Sequence, residues 1–289
     1  ETGLIEIIDN DNNITILKDI VNFNFSGNKS INNIIGYNNK LYISTSFAII
    51  VYDIEKQQFG DTYFIGNQSS EIKVNQIKIL DNFIYAATEY GVYIADITNP
   101  NLIDFNNWTQ YFSGNFSNVE VFNNQIYVSN DRKLYKIKDA GLELQKNYPQ
   151  NIRSLKASDE FLSVATQRGV YVLNSVDSEI SSYVTTTSAQ FYFNLNTAFF
   201  ENNMLYLGTR EFGLLKSTVE NIPNFEEVHP EGPVSNLPFS ISVKENNLWV
   251  VYGGYDGAYA PRNTAYSFDH FNGDTWINTP YKSFNVTNL

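Results

Sequence analysis

The sequence has no cysteine, two histidines and one methionine in 289 residues. Without thiols there is no disulfide framework, no thiolate metal site and no cysteine nucleophile, and the redox compartment cannot be read. The histidines, His229 and His270, have no partner motif, and no HExxH, nucleophile elbow or Gly-rich phosphate loop occurs. The sequence therefore names no catalytic residue, no metal ligand and no cofactor. Basic residues are also scarce: 19 Lys and Arg face 31 Asp and Glu, for a formal net charge of −12. Such a chain repels phosphate backbones, which argues against general nucleic-acid binding. No apolar run approaches the roughly 20 residues of a membrane helix.

What remains is apolar, aromatic and periodic. Hydrophobic residues make up 43% of the chain, with 20 Tyr and 21 Phe, types that favour half-buried pleated surfaces. Six triplets share one pattern: Leu41-Tyr42-Ile43, Ile84-Tyr85-Ala86, Ile126-Tyr127-Val128, Leu162-Ser163-Val164, Leu205-Tyr206-Leu207 and Leu248-Trp249-Val250. Their middle residues are 43, 42, 36, 43 and 43 positions apart. Each triplet follows an alternating apolar stretch: Ile31 to Tyr37, Val74 to Leu80, Phe116 to Phe122, Ile152 to Ala157, Leu195 to Phe200 and Phe239 to Val243. Pairs such as Asn38-Asn39 and Asn202-Asn203 separate the two, as hairpin turns do. A third strand follows, at Ile49 to Ile54, Val92 to Ile97, Leu134 to Ile137, Val170 to Leu173, Leu214 to Ser217 and Tyr266 to His270. A weaker fourth, such as Trp108 to Phe112 or Trp276 to Pro280, closes the unit. Four short strands, A to D, at this period are the unit of a β-propeller blade. The apolar period is 2, not 3.6, which excludes helical repeats. Pro223 to Glu227 is the one short helix candidate.

In this phase Leu4 to Ile8 and Ile14 to Leu17 are strands C and D of a blade without A and B. Asn285 to Leu289 resembles the start of a strand A. The expectation is an all-β chain forming a seven-bladed propeller over residues 1–289, with six complete blades and one partial. The missing strands would lie outside this segment, making it one domain excised from a longer protein. The Asp9-Asn10-Asp11-Asn12-Asn13 run has the alternating oxygens of a calcium loop but lacks the following Gly and distant Glu, and is read as a C–D hairpin.

Strand A of a propeller lines the channel, and the B–C loops and D-to-A connections emerge on one face. Loops on a rigid scaffold commonly carry binding. Four of the five arginines, Arg132, Arg168, Arg210 and Arg262, fall in B–C loops, and Arg153 lies near a D-to-A connection. Forked guanidinium donors suit carboxylates and phosphates. Ion pairs with Glu89, Asp131, Glu211 and Asp256, in the same loops, are the competing use of that charge. The sixth B–C loop carries an insertion, Gly253 to Asn263, whose Tyr255, Asp256 and Tyr259 join the arginines as candidate ligand- or partner-binding residues.

The triplets continue as Leu41-Tyr42-Ile43-Ser44-Thr45, Ile84-Tyr85-Ala86-Ala87-Thr88-Glu89-Tyr90-Gly91-Val92-Tyr93 and Leu205-Tyr206-Leu207-Gly208-Thr209. With the fourth strands Trp108-Thr109-Gln110-Tyr111 and Trp276-Ile277-Asn278-Thr279, the chain resembles the Bacteroidetes propeller family that includes PorZ of the type IX secretion system. It is more distantly similar to the propellers of two-component regulators, which carry a stricter Leu-Trp-Ile-Gly-Thr second strand; only Leu248-Trp249 keeps that Trp. The resemblance implies a non-catalytic component of an attachment complex in the cell envelope, at the outer-membrane surface or in the periplasm. Its partners would be other proteins of that complex, a peptidase among them, and anionic surface polysaccharide. A ligand-sensing ectodomain of a hybrid regulator, or a polysaccharide-active propeller enzyme, are the alternatives.

Overall fold

A computed structural model of the chain describes residues 3–138, 141–185, 192–222, 224–228, 231–235, 237–262 and 267–280. Six antiparallel sheets have four strands each and a seventh has two, the arrangement of a seven-bladed β-propeller with one partial blade. The partial blade pairs Ile5–Ile8 with Ile14–Leu17. The complete blades run Ile31–Tyr37 to Gln58–Tyr63, Val74–Leu80 to Thr109–Ser113, Asn118–Phe122 to Gly141–Asn147, Ile152–Ala157 to Glu179–Val184, Leu195–Glu201 to Glu226–Val228, and Ser240–Lys244 to Trp276–Pro280. In each blade the strands lie in chain order A, B, C, D. The chain divides into two compact units, Glu1–Glu227 and Val228–Leu289.

Most A–B hairpins turn on two residues with positive φ: Asn38 and Asn39, Asp81 and Asn82, Asn123 and Asn124, Asn202 and Asn203. This is the geometry of a type I′ turn, whose twist matches that of the flanking strands. It is what the Asn pairs in the sequence encode. The Asp9 loop is also a hairpin: one carboxylate oxygen of Asp9 accepts from the backbone N–H of Asp11 and of Asn13, and the other from Asn13 Nδ2.

Within Glu1–Glu227 the core lies between blades. Tyr42, Ile49 and Val51 of the first blade pack with Ile77, Ile84 and Ala86 of the second. Phe122, Tyr127 and Leu134 of the third pack with Leu155, Val164 and Leu173 of the fourth. The first four complete blades are apolar on both faces because each face meets a neighbour, and this explains near-continuous apolar runs such as Ile49 to Tyr52. Fully burying one such side chain stabilises the fold by about 1.5–3 kcal/mol.

The repeated Thr at the end of strand B has a structural cause. Thr45 Oγ1 donates to the carbonyl of Ala48, Thr88 to Gly91, Thr166 to Gly169 and Thr209 to Gly213, at 2.8–3.1 Å. Three of these oxygens also accept backbone N–H groups of the turn, from Ala48, Gly91 and Phe212. In the first, second and fifth blades one hydroxyl thus satisfies both a carbonyl and an N–H at the tip of the B–C turn. At Gly91 a Cβ would meet the Phe112 carbonyl oxygen at 2.2 Å, so the turn excludes any side chain there.

Two short elements differ from expectation. Residues 226 and 227 of the helix candidate belong to strand D of the fifth blade, Glu226–Val228, where Lys216 of strand C reaches Glu226 at 3.3 Å; its first residue, Pro223, lies outside the described residues, and the nearby helical turn is Val219–Asn221. Strand A of the third blade starts at Asn118, not Phe116, because the Phe116 N–H is held by the Thr88 carbonyl of the preceding blade. The proposed strand start at Asn285 to Leu289 also lies outside the described residues.

Replacing Thr88 by Val leaves a buried carbonyl and N–H unsatisfied. The expected loss is about 1–3 kcal/mol, read from urea denaturation, with Thr88→Ser retaining most of the stability.

Candidate functional site

The B–C loops and D-to-A connectors do meet on one face within Glu1–Glu227, and backbone hydrogen bonds show it directly. Ser46 N–H donates to the Ser30 carbonyl, Glu89 to Lys73, Tyr148 to Arg132, Thr185 to Arg168, and Arg210 to Asn194. Each B–C loop is therefore laced to a connector beside it.

The most developed site on this face spans the fourth and fifth blades. The Tyr192–Leu195 connector is bonded to both adjacent B–C loops. Gln167 Nε2 donates to Asn194 Oδ1 at 2.8 Å, and the Leu195 N–H to the Gln167 carbonyl at 2.8 Å. On the other side, Asn194 donates through its backbone N–H and its Nδ2 to the two oxygens of Glu211, both at 2.7 Å. These bonds, with the Arg210 charge beside it, hold the Glu211 carboxyl below the usual carboxylate range.

Arg168 and Arg210 sit on the two loops joined by this connector. The Arg168 guanidinium lies over the Tyr192 ring, 5.1 Å from its centroid, a cation–π contact that fixes the plane of the fork. Its backbone N–H is bonded to Gln150 Oε1 at 2.9 Å, and its buried Nε has no partner. Arg210 is exposed. Every ion pair among the described residues uses a lysine: Lys56, Lys78, Lys136, Lys138, Lys146 and Lys216. The loop ion pairs that competed for the arginine charge are not formed there.

Arg132 is exposed on its B–C loop, its carbonyl bonded to Tyr148 N–H. Arg153 has a different place. It is the second residue of strand A in the fourth blade, and its Nη1 donates to the Leu195 carbonyl, the first residue of strand A in the fifth, at 3.2 Å. Asn32 and Asn75 hold the same strand position in the first two blades, and their Nδ2 groups donate to the carbonyls of Val74 and Phe116, each at 2.8 Å. Arg153 is one member of a repeated strap between consecutive blades.

In the Val228–Leu289 unit the insertion folds as a small hairpin. Tyr255 and Pro261 form a bridge, and Asp256 Oδ1 accepts from the N–H groups of Ala258 and Ala260, both at 2.9 Å. The Asp256 carboxylate thus builds the loop. Tyr259 projects at the tip, 86% exposed, and Tyr255 packs edge-on to Phe239 with centroids 6.1 Å apart. Tyr255 and Arg262 line a cavity of about 380 Å³ with Ser235, Leu237, Phe239 and Tyr252. Burial and the neighbouring Asp269 push the Tyr252 phenol up to about 12, so it stays neutral. Asn263, at the end of the insertion, lies outside the described residues, as does His229. His270 stacks on Trp249 at 3.8 Å, with its Nε2 2.7 Å from Asn247 Oδ1.

One charged cluster escaped the residue-by-residue reading. Lys78, Glu120 and Lys156 occupy strand A of the second, third and fourth blades. Glu120 is 2% exposed, and Lys78 Nζ lies 2.5 Å from its Oε1. Its Oε2 is buried without a partner. Burial raises the Glu120 carboxyl above the carboxylate range; Lys78 beside it and Lys156 beyond counteract this only in part. The signal was present in the sequence, because the three residues are 42 and 36 positions apart, matching the blade markers there. Among the described residues no group of acidic or histidine side chains could hold a metal ion, and no helix is long and apolar enough to cross a membrane.

Sheet count and strand order define the class: a β-propeller. Within that class the chain is PorZ-like. Its residues 1–109 match the family described as the N-terminal β-propeller domain of PorZ of the type IX secretion system. The structure is similar to PorZ of Porphyromonas gingivalis, described as an essential bacterial surface component of that system, with TM-score 0.65 and 18% identity, covering 97% of this chain and 37% of that one. A chain of a mitotic checkpoint complex (TM-score 0.58, 8% identity, 95% of this chain and 80% of that one) and Hsv2p of Kluyveromyces lactis (0.52, 12%, 97% and 92%) share the fold. No curated protein matches the chain in sequence. The chain spans little more than a third of the PorZ chain.

The raised Glu120 carboxyl has a pH signature. A carboxyl whose folded pKa is raised binds its proton more tightly in the native state, so its contribution is full at low pH and lost as pH rises through the folded value. Relative to the parent, Glu120→Gln should therefore gain stability as pH rises from about 4 to 8, measured by urea denaturation across that range. A constant difference would show that the carboxyl is not perturbed.

Proposed function

We propose that this chain forms a single non-catalytic recognition propeller of a type IX secretion attachment complex, positioned in the cell envelope. Its B–C loop face binds an anionic partner, either surface polysaccharide or an acidic patch on a peptidase of the complex. The family match over residues 1–109 supports the secretion role. The observation that carries the binding role is the pair Arg168 and Arg210, on adjacent loops laced to one connector and without ion pairs among the described residues.

The physical case rests on preorganisation. Ordering a long cationic side chain on binding costs about 0.5–1.5 kcal/mol. Stacking on Tyr192 has already immobilised Arg168, so more of the charge-assisted interaction appears as affinity. In an otherwise acidic chain, two such arginines also steer an anion to one place. Arg132, on the neighbouring B–C loop of the third blade, extends the cationic face. Tyr255, Tyr259 and Arg262 supply a second contact region in the Val228–Leu289 unit.

Pull-down with purified anionic surface polysaccharide is the test. Arg168→Ala with Arg210→Ala is expected to weaken retention by at least about tenfold, since hydrogen bonds to charged groups contribute about 1.5–3 kcal/mol each. Retention equal to the parent would show that this face is not the site.

A further inference from the structure

We propose that the cavity of the Val228–Leu289 unit is a recognition site for the C-terminal residue of an extended peptide, a residue with an apolar side chain beside its free carboxylate. The cavity is lined by Ser235, Leu237 and Phe239 from the segment leading into strand A, and by Tyr252, Tyr255 and Arg262 from the B–C insertion. Its volume of about 380 Å³ suits one large side chain with its terminal group and little more.

The lining decides the ligand chemistry. Tyr252 is already committed: its hydroxyl accepts from the Ser235 N–H at 3.3 Å and donates to Asp269, while the Ser235 Oγ accepts from the Leu237 N–H at 3.1 Å. The polar side-chain groups left to a ligand are the Arg262 guanidinium, the Tyr255 phenol and the O–H of Ser235. A sugar, with hydroxyls around its ring, would leave most of them unpaired here, and each unpaired polar group costs affinity. Leu237, Phe239 and the Tyr255 ring instead offer an apolar wall, and Arg262 a two-pronged donor that fits a carboxylate. The two features lie within a cavity of one-residue size. In an extended peptide neighbouring side chains point to opposite sides, so an acidic side chain does not sit beside an apolar one as a terminal carboxylate does.

The site is built before any ligand arrives. Asp256 pins the hairpin through Ala258 and Ala260, and the Arg262 N–H is fastened to the Gly254 carbonyl at 3.0 Å. Gly254 has a φ of +113°, and a Cβ there would come within 3.1 Å of the Phe239 ring. Only glycine lets the loop pass this close to the apolar wall.

The experiment is fluorescence anisotropy with the 289-residue chain and a labelled heptapeptide ending in Phe as the free acid. The same peptide amidated, and one ending in Asp-Phe-amide, are the comparisons. Specific binding of the free acid is expected, weakened at least tenfold by amidation, by Arg262→Gln and by Tyr255→Ala. The exposed position of Arg262 makes its variant fold-neutral, which circular dichroism verifies. Arg168→Ala with Arg210→Ala should leave this binding unchanged, so the outcome is independent of the polysaccharide reading above. No binding up to millimolar peptide, equal binding of the amide or of the Asp-Phe-amide, or full binding by Arg262→Gln would each overturn the proposal.

Discussion

Consecutive blades of a propeller must hold their innermost strands in register, because these strands are where each blade meets the next over its buried centre. In this chain a side chain at the second position of strand A performs that task. Asn32 and Arg153 donate to the first backbone carbonyl of the next strand A, and Asn75 to the Phe116 carbonyl just before it. In the second and fifth blades the accepting residue, Val74 or Leu195, sits beside a bulge in the A–B pairing of its own blade. The polar link is directional where the apolar packing between blades is not, so it fixes register that packing alone would leave free to slide.

With register fixed at the start of strand A, the loops beside it can vary. The B–C turns of the first, second, fourth and fifth blades are closed from within by a threonine hydroxyl and from outside by the connector. A loop secured at both ends tolerates charge and insertion at its tip without loss of the blade. The arginines at 168 and 210 use that tolerance. The buried Lys78–Glu120 pair is the contrasting case: it adds charge where burial opposes it. Removing one partner of such a pair is costly, while replacing both by apolar residues often is not.

The repeat made the fold legible. Blade markers, Asn turns and alternating apolar stretches placed strands A, B and C of each complete blade to within two residues, because each follows from local chemistry: positive φ, period-2 burial and a hydroxyl at a turn; most D strands, more exposed and less regular, were not placed. The site was legible only in part. Arg168 and Arg210 were found by residue type and loop position. Tyr192 and Asn194, which order those loops, were not, since they belong to a connector 24 or more residues from Arg168 with no motif of its own. Asp256 was singled out for its charge, yet its carboxylate folds the loop. Arg153 was grouped with the binding arginines for the same reason. Only comparison with Asn32 and Asn75, at the same strand position, reveals what it does.

The separation of strap from binding face is the central claim, and Arg153→Asn tests it most directly. Asparagine performs the strap in the first two blades, so the variant should unfold at the same urea concentration as the parent and retain anionic polysaccharide as well. A variant that keeps its stability but loses polysaccharide binding would place Arg153 in the binding face and contradict the account.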